Sequence, residues 1–267
     1  MTIVRGPAVE PNSDISQIAR AFVEARRTAS PLPAFPGPIP PDLPAAYAVQ
    51  DAALALVGQH AAGWKVGRIN PPIGGVDRLA GPIFADQIKA EDGAAMPIFA
   101  NGFGAAEAEF LLRVGRAPDP AQRRFSMDEA RMLIDAVHVG IEIASSPFAG
   151  INDHGPMVTI SDFGNNNGLV VGAAVAGWQD IDLNRWPVSL YINDAEIGFG
   201  LAADMLDGPF GAARFLFEHL AARGIAVTPG QWISTGAVTG VHPVAIGDRV
   251  EARFDARLSI RCTIAAQ

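Results

Sequence analysis

Apolar positions along the chain change their period near residue 63. Upstream, "SDISQIARAFVEARR" (13–27) and "PDLPAAYAVQDAALALVGQ" (41–59) carry apolar residues at helical spacing, and Asp42 stands where the second helix needs an N-cap. The segment between them, "ASPLPAFPGPIPPDLP" (29–44), is proline-rich and predicts an extended, stiff connector. From Trp64 onward, short apolar runs alternate with glycine, proline and asparagine. "KVGRI" (65–69), "AEFLLRV" (108–114), "GIEIA" (140–144), "NGLVVGAAV" (167–175), "VSLYIN" (188–193) and "RVEARFDARLSIRCTIA" (249–265) read as strands. Two helices interrupt them. "SMDEARMLIDAV" (126–137) opens with Ser126 and Glu129 at capping-box spacing, and "FGAARFLFEHLAARG" (210–224) closes on Gly224 as a C′ residue. The expectation is an α+β protein, with a helical N-terminal lobe over 1–62 and a β-rich body over 63–267 that together form one domain. No internal repeat of fixed period is present.

Composition sharpens this picture in one respect. The 267 residues are 49% hydrophobic and only 18% charged, so the surface must be modest or partly covered by other subunits, and charges inside apolar runs become informative. The formal net charge of -8, with lysine and arginine scattered singly, offers no basic stripe for a phosphate backbone, so nucleic acid is not an expected partner. The single cysteine, Cys262, excludes an intramolecular disulfide and any multi-cysteine metal site. Its place in "RLSIRCTIA" predicts a half-buried structural thiol. "MTIVRGPAVEPNSD" at the amino terminus lacks the apolar core of a secretion signal, and "LVVGAAVAG" (169–177) is too short to cross a bilayer. A soluble cytoplasmic protein with no membrane partner is expected.

The charges that stand out lie in "AEAEFLLRVGR" (106–116). In a strand, residues two apart share a face, so Glu107 and Glu109 project together, an unfavourable arrangement that a divalent cation between them reverses. Exposure of both on an edge strand is the plain alternative. Glu142, flanked by Ile141 and Ile143 in "AVHVGIEIASSPF" (136–148), adds a third isolated carboxylate in a buried-looking strand. Hard oxygen donors of this kind suit Mg²⁺ or Mn²⁺ rather than zinc. Lys65, in "GWKVGRIN" (63–70), is either a snorkelling surface lysine or, beside a metal-bound anion, a group for carboxylate binding or proton transfer.

With these residues in place, the sequence resembles the fumarylacetoacetate hydrolase superfamily, specifically its branch of 2-oxopent-4-enoate hydratases and 4-oxalocrotonate decarboxylases. The likeness runs from "AAYAVQDA" through "GWKVGRIN", "AEAEFLLRV", "GIEIASSPF" and "ISDFGNNNGLVVG" to the carboxyl-terminal block containing "GQWISTG" and "PVAIGDRV". It implies a mixed β-sheet roll with a helical N-terminal lobe, and Mg²⁺ or Mn²⁺ on Glu107, Glu109 and Glu142. It also implies Lys65 as the active-site lysine, a small 2-oxo acid of aromatic catabolism as substrate, and a homo-oligomer, with a complex with a related subunit as a further option. Asp162, Asn166, Ser234 and Thr235 fall where relatives line the substrate pocket.

The departures are specific. The hydratases carry Pro-Asp-aromatic-Gly where this chain has Pro82-Ile83-Phe84-Ala85, so an acid/base aspartate is missing. They carry Asp-Asn-Ala-Ser-Ser where it reads Asp162-Phe163-Gly164-Asn165-Asn166, so an amide replaces a hydroxyl that can relay a proton. Arg68 stands where relatives have an apolar residue; it offers a planar fork to a second carboxylate, or is a solvent-facing loop arginine. His138 and His219 show no triad arrangement, His154 lies in a turn that borders the site in one reading, and the "GFGAAE" glycines do not sit between a strand and a helix as a phosphate loop requires. The expected function is a metal-dependent lyase of hydratase or decarboxylase type acting on a short 2-oxo acid. The alternatives are an acylpyruvate C–C hydrolase, disfavoured because no histidine precedes His60, and a non-catalytic assembly subunit.

Overall fold

Strict alternation in two long strands decides the architecture. Along β5 (Phe103–Val114), Ala106, Ala108, Phe110, Leu112 and Val114 turn to one side; along β6 (Ile134–Ser146), Val137, Val139, Ile141 and Ile143 turn to the same side. The two strands are antiparallel, and their register sets Ala108 opposite Ile141 and Phe110 opposite Val139, so one apolar face runs across the pair. The computed structural model describes residues 13–267. The expectation of no secretion signal falls mostly on residues 1–12, which lie outside the described residues.

Around this pair the chain builds an eight-stranded mixed sheet. Its order is β2 (Val76–Ile83), β1 (Gly63–Ile73), β10 (Trp232–Ser234), β5, β6, β7 (Asn166–Ala174), β3 (Ile88–Lys89), with β11 (His242–Pro243) also pairing β5. A five-stranded sheet, ordered β4 (Ala94–Ile98), β13 (Leu258–Ala266), β12 (Arg249–Phe254), β8 (Pro187–Ile192), β9 (Ala195–Leu201), lies against the apolar face. The main core fills the space between them: Phe110 meets Phe254 and Trp186 edge-on at centroid distances of 5.2 and 6.1 Å. Cys262, on β13, is fully buried in this core rather than half-buried, and loss of solvent pushes its thiol up to about 12.

The opposite face of the larger sheet is covered by the N-terminal helices α1 (Ser13–Thr28) and α2 (Leu43–Val57) and by the short α4 (Pro156–Ser161). Asp42 caps α2 by accepting from the Ala45 backbone N–H at 2.8 Å, as its spacing predicts. Gln50, fully buried on α2, donates to the carbonyls of Ala80 and Ile160, and Tyr47 accepts from the Ala80 N–H; these bonds fasten the helical lobe to β2 and α4. The proline-rich connector is not extended as expected but bends repeatedly, with the Gly37 N–H donating to the Phe35 carbonyl at 2.9 Å, and it pairs with the body at one bridge, Leu32 to Phe148. No helix among the described residues is long and apolar enough to cross a membrane.

Two of the expected helices are present with altered bounds. The Ser126–Glu129 capping box forms, but α3 (Met127–Met132) stops early, and the "IDAV" expected to continue it belongs to β6. Pairing of Ile134 with Val114 on β5 wins over the local helical spacing, since those apolar residues gain a sheet partner and a core together. The second, α5 (Gly208–Ala222), starts two residues earlier than its spacing suggests and ends before Gly224, whose φ of +70° serves the C′ position. Phe110→Ala is expected to cost about 3–5 kcal/mol by opening a cavity between the sheets. Chemical denaturation reads that loss directly.

Candidate metal centre

The register that builds the core also builds the centre. Because Ala108 and Ile141 point inward, Glu107, Glu109 and Glu142 point to the other face, and β5–β6 pairing sets Glu107 directly opposite Glu142. One carboxylate oxygen from each of the three lies within 4.8 Å of the others. Glu109 and Glu142 are fully buried, and Glu107 is 5% exposed.

Each of the two deepest carboxylates has one oxygen engaged and one free. Oε2 of Glu109 accepts from the Ser234 hydroxyl and, at 2.8 Å, from the Gly236 backbone N–H. Oε1 of Glu142 accepts from the Asn166 amide at 2.9 Å and faces Lys65 Nζ at 3.3 Å. Oε1 of Glu109 and Oε2 of Glu142 are buried with no protein partner. Two unsatisfied anionic oxygens, converging with a third carboxylate, are costly unless a cation takes them. The donor set fits a hard divalent ion such as Mg²⁺ or Mn²⁺; held there, such an ion would rest on Glu107, Glu109 and Glu142.

The electrostatics agree with that fit. Loss of solvent is the main force pushing Glu107 up to about 7; Lys65 opposes it and Glu142 adds to it. Burial likewise raises Glu109 well above the ordinary carboxylate range, helped by the charges of Glu142 and Glu107. For Lys65, burial favours the neutral amine, but the carboxylates of Glu142, Glu107 and Glu109 together outweigh it and hold the group as an ammonium.

A cavity of about 750 Å³ opens over this cluster. Lys65 and Glu107 form part of its floor, Arg68 and Val241 are exposed in its wall, and Asn152, Thr159 and Asn165 add polar lining. The other residues singled out in the sequence fall into supporting places. Ser234 binds Glu109, Asn166 binds Glu142, and Thr235 donates to the Phe110 carbonyl at 2.8 Å, so all three brace the strands that carry the carboxylates rather than line the cavity. Asp162 is fully buried outside the cavity lining, its carboxylate taken by Arg26 of α1. His138 meets the Gly172 carbonyl, His154 stacks on Phe148, and His219 packs between Tyr47 and Phe215, where burial lowers it to about 3.

Two contributors escaped sequence reading. Asn165 reaches the cavity because its backbone is left-handed, at φ +66°, which asparagine tolerates; the glycine and paired asparagines of "DFGNN" are the available signal. Arg26 lies four residues after Phe22 and eight after Ile18, on the buried stripe of α1, where an arginine needs a partner.

No family model matches the chain. Among curated proteins it is 29% identical over 101 residues to a 4-oxalocrotonate decarboxylase of Pseudomonas sp. (strain CF600), an alignment spanning 38% of each protein, little more than a third of that relative's length. It is 25% identical over 199 residues to a 2-hydroxyhexa-2,4-dienoate hydratase of Comamonas testosteroni, spanning 73% of this chain and 74% of that one. Among solved structures, 4-oxalocrotonate decarboxylase from Pseudomonas putida G7, complexed with magnesium and adipate, superposes with a TM-score of 0.80 at 20% identity, over 97% of this chain and all of the other. The mixed α+β fold expected from the sequence is that of these proteins, and the resemblance to the hydratase and decarboxylase branch holds.

The raised carboxylates link folding to pH and to the cation. Glu107 and Glu109 hold protons in the folded state that the unfolded chain releases near its ordinary glutamate value. Their contribution is therefore present below that value and lost as pH rises, the part from Glu107 through about 7 and the part from Glu109 as pH passes its own raised value. The cation-free protein is expected to melt at progressively lower temperature between about pH 5 and about pH 8 from this source, and Mg²⁺ or Mn²⁺ is expected to restore most at the upper end. Thermal melts with and without chelator test this. Glu109→Gln should abolish the cation's effect; full stabilisation of that variant by Mn²⁺ would remove Glu109 from the ligand set.

Proposed function

The chain has the fold of the fumarylacetoacetate hydrolase superfamily and is similar in sequence to its hydratase and decarboxylase branch, and from that premise we propose that it is a divalent-metal-dependent lyase that decarboxylates a short 2-oxo dicarboxylic acid. The observation that carries this reading is the meeting of three buried carboxylates, two with orphaned oxygens, and one ammonium group, of which Glu107 and Lys65 line a single cavity. A cation bound there supplies Lewis-acid polarisation of the substrate's 2-oxo group.

The chain's own residues supply the rest. Lys65 Nζ, kept charged by its neighbours, holds the carboxylate next to the 2-oxo group or delivers a proton there. Arg68, exposed in the cavity wall and three residues further along β1, offers its planar fork to the distal carboxylate and orients the bond to be broken. When that carbon–carbon bond breaks, its electron pair passes through the conjugated carbons to the 2-oxo oxygen, CO₂ leaves, and a dienolate remains for protonation.

Decarboxylation is favoured over hydration by what the cavity lacks among the described residues. Its ionisable lining is Lys65, Arg68 and Glu107, with no histidine, aspartate or serine to activate water. Ile83, where the hydratases carry aspartate, packs in an apolar cluster with Leu111, Leu169 and Val171, and the Asn166 amide is committed to Glu142. Hydration is the second reading, favoured by the length of the alignment with the Comamonas hydratase.

Incubation with Mg²⁺ or Mn²⁺ and a panel of 2-oxo and 2-hydroxydienoic acids, followed by ultraviolet absorbance and product mass, tests the assignment. Loss of CO₂ from a dicarboxylic member is the expected outcome. Gain of water selects the hydratase reading, cleavage of an acylpyruvate selects the hydrolase, and an inert panel overturns the enzyme reading in favour of an assembly subunit. Arg68→Ala should raise KM for dicarboxylates about tenfold or more while sparing monocarboxylates; equal losses for both would take Arg68 out of substrate recognition.

A further inference from the structure

One charged side chain of helix α1, Arg26, is bonded to residues next to the candidate centre. The Arg26 guanidinium donates to both carboxylate oxygens of Asp162, to Oδ1 of Asn167 at 3.1 Å and to the Ser145 carbonyl at 3.1 Å. It also sits 5.5 Å from the ring centroids of Phe99 and Phe163. An arginine whose side chain is only 10% exposed, with this many partners, all of them on the β-rich body, holds its target in one geometry.

That target is the start of a strained turn. After Asp162, three successive residues have left-handed backbones: Phe163 at φ +54°, Gly164 at +67° and Asn165 at +66°. Phenylalanine rarely adopts this conformation, so the turn persists only because its surroundings impose it. Those surroundings lie at the site. A Cβ on Gly81 would come within 2.0 Å of the Phe163 carbonyl oxygen, and one on Gly164 within 3.2 Å of the Lys65 side chain, so the turn lies directly against β2 and the lysine stem. It then delivers Asn165 to the cavity and Asn166 to Glu142.

We propose that Arg26 is a positioning residue of the metal centre: by clamping Asp162 and Phe163 it holds the 163–165 turn, and through it Lys65 and the Asn166–Glu142 contact, in the geometry that binds the cation. The N-terminal helix is then part of the site's construction and more than a cover. This inference depends on Glu107, Glu109 and Glu142 being the ligands.

Calorimetric titration of the full-length protein with Mn²⁺ tests it independently of any substrate. Arg26→Lys keeps charge and length but loses the fork; it is expected to weaken Mn²⁺ binding about tenfold, the lower end of what outer contacts contribute at metal sites. Gly164→Ala, which strains the same turn directly, should weaken it similarly. Ile18→Ala, which loosens α1 against the connector near Gly37, should lower the melting temperature and leave Mn²⁺ affinity unchanged. Wild-type affinity in Arg26→Lys would overturn the proposal, as would an equal loss in Ile18→Ala, which would make the effect one of general helix packing. Failure of the wild-type protein to bind Mn²⁺ would instead overturn the metal reading itself.

Discussion

Three carboxylates deprived of solvent on one face of a sheet are the constraint around which this protein is arranged. Their charges do not cancel: Lys65 answers one of three, and the remainder corresponds to a doubly charged ion. Without that ion the cluster resolves its repulsion by holding protons, which is why burial lifts Glu107 and Glu109. Isolated charges of this kind are retained in an interior only when they are paired or coordinate a cation. The free oxygens of Glu109 and Glu142 are therefore best understood as half of an interaction.

Register ties this centre to the fold. The β5–β6 ladder sends Ala108, Phe110, Val139 and Ile141 into the main core and Glu107, Glu109 and Glu142 to the other side. A slip of one residue would exchange these sets, burying glutamates between the sheets and turning Phe110 toward the cavity. The core therefore enforces the register that the chemistry needs. Residues on the site face are small or polar where the helical lobe and the 163–165 turn approach, as at Gly81, whose lack of a side chain admits the Phe163 carbonyl.

Much of this was legible in sequence because it follows from period-two alternation and from charges that violate it. Glu107, Glu109, Glu142 and Lys65 were visible as charges inside apolar runs, and the structure brings them together. What stayed hidden depends on contacts distant in the chain. The end of α3 is set by a strand partner twenty residues upstream, since Ile134 pairs with Val114. The role of Asp162 is set by an arginine 136 residues away. Asp162, Ser234 and Thr235 stand where the resembled family lines its pocket, and in this chain their polar atoms are engaged by Arg26, Glu109 and the Phe110 carbonyl. A motif's position locates a neighbourhood; which side chain faces the substrate is decided by hydrogen-bond partners the local sequence does not contain.

The same bracing narrows the chemistry. Ser234 and the Gly236 N–H fix one oxygen of Glu109, and Asn166 fixes one of Glu142, so neither carboxylate is free to swing out and act as a general base. Lys65, surrounded by anions, is an acid or a cation and not a base while the carboxylates are charged. One ammonium beside carboxylates fixed in this way suits the proposed role of drawing electron density onto a substrate oxygen. Under the proposed reading, loss of CO₂ asks for that electron sink and for an oriented carbon–carbon bond, whereas addition of water would fall to Glu107, the carboxylate in the cavity lining and itself a proposed ligand of the cation.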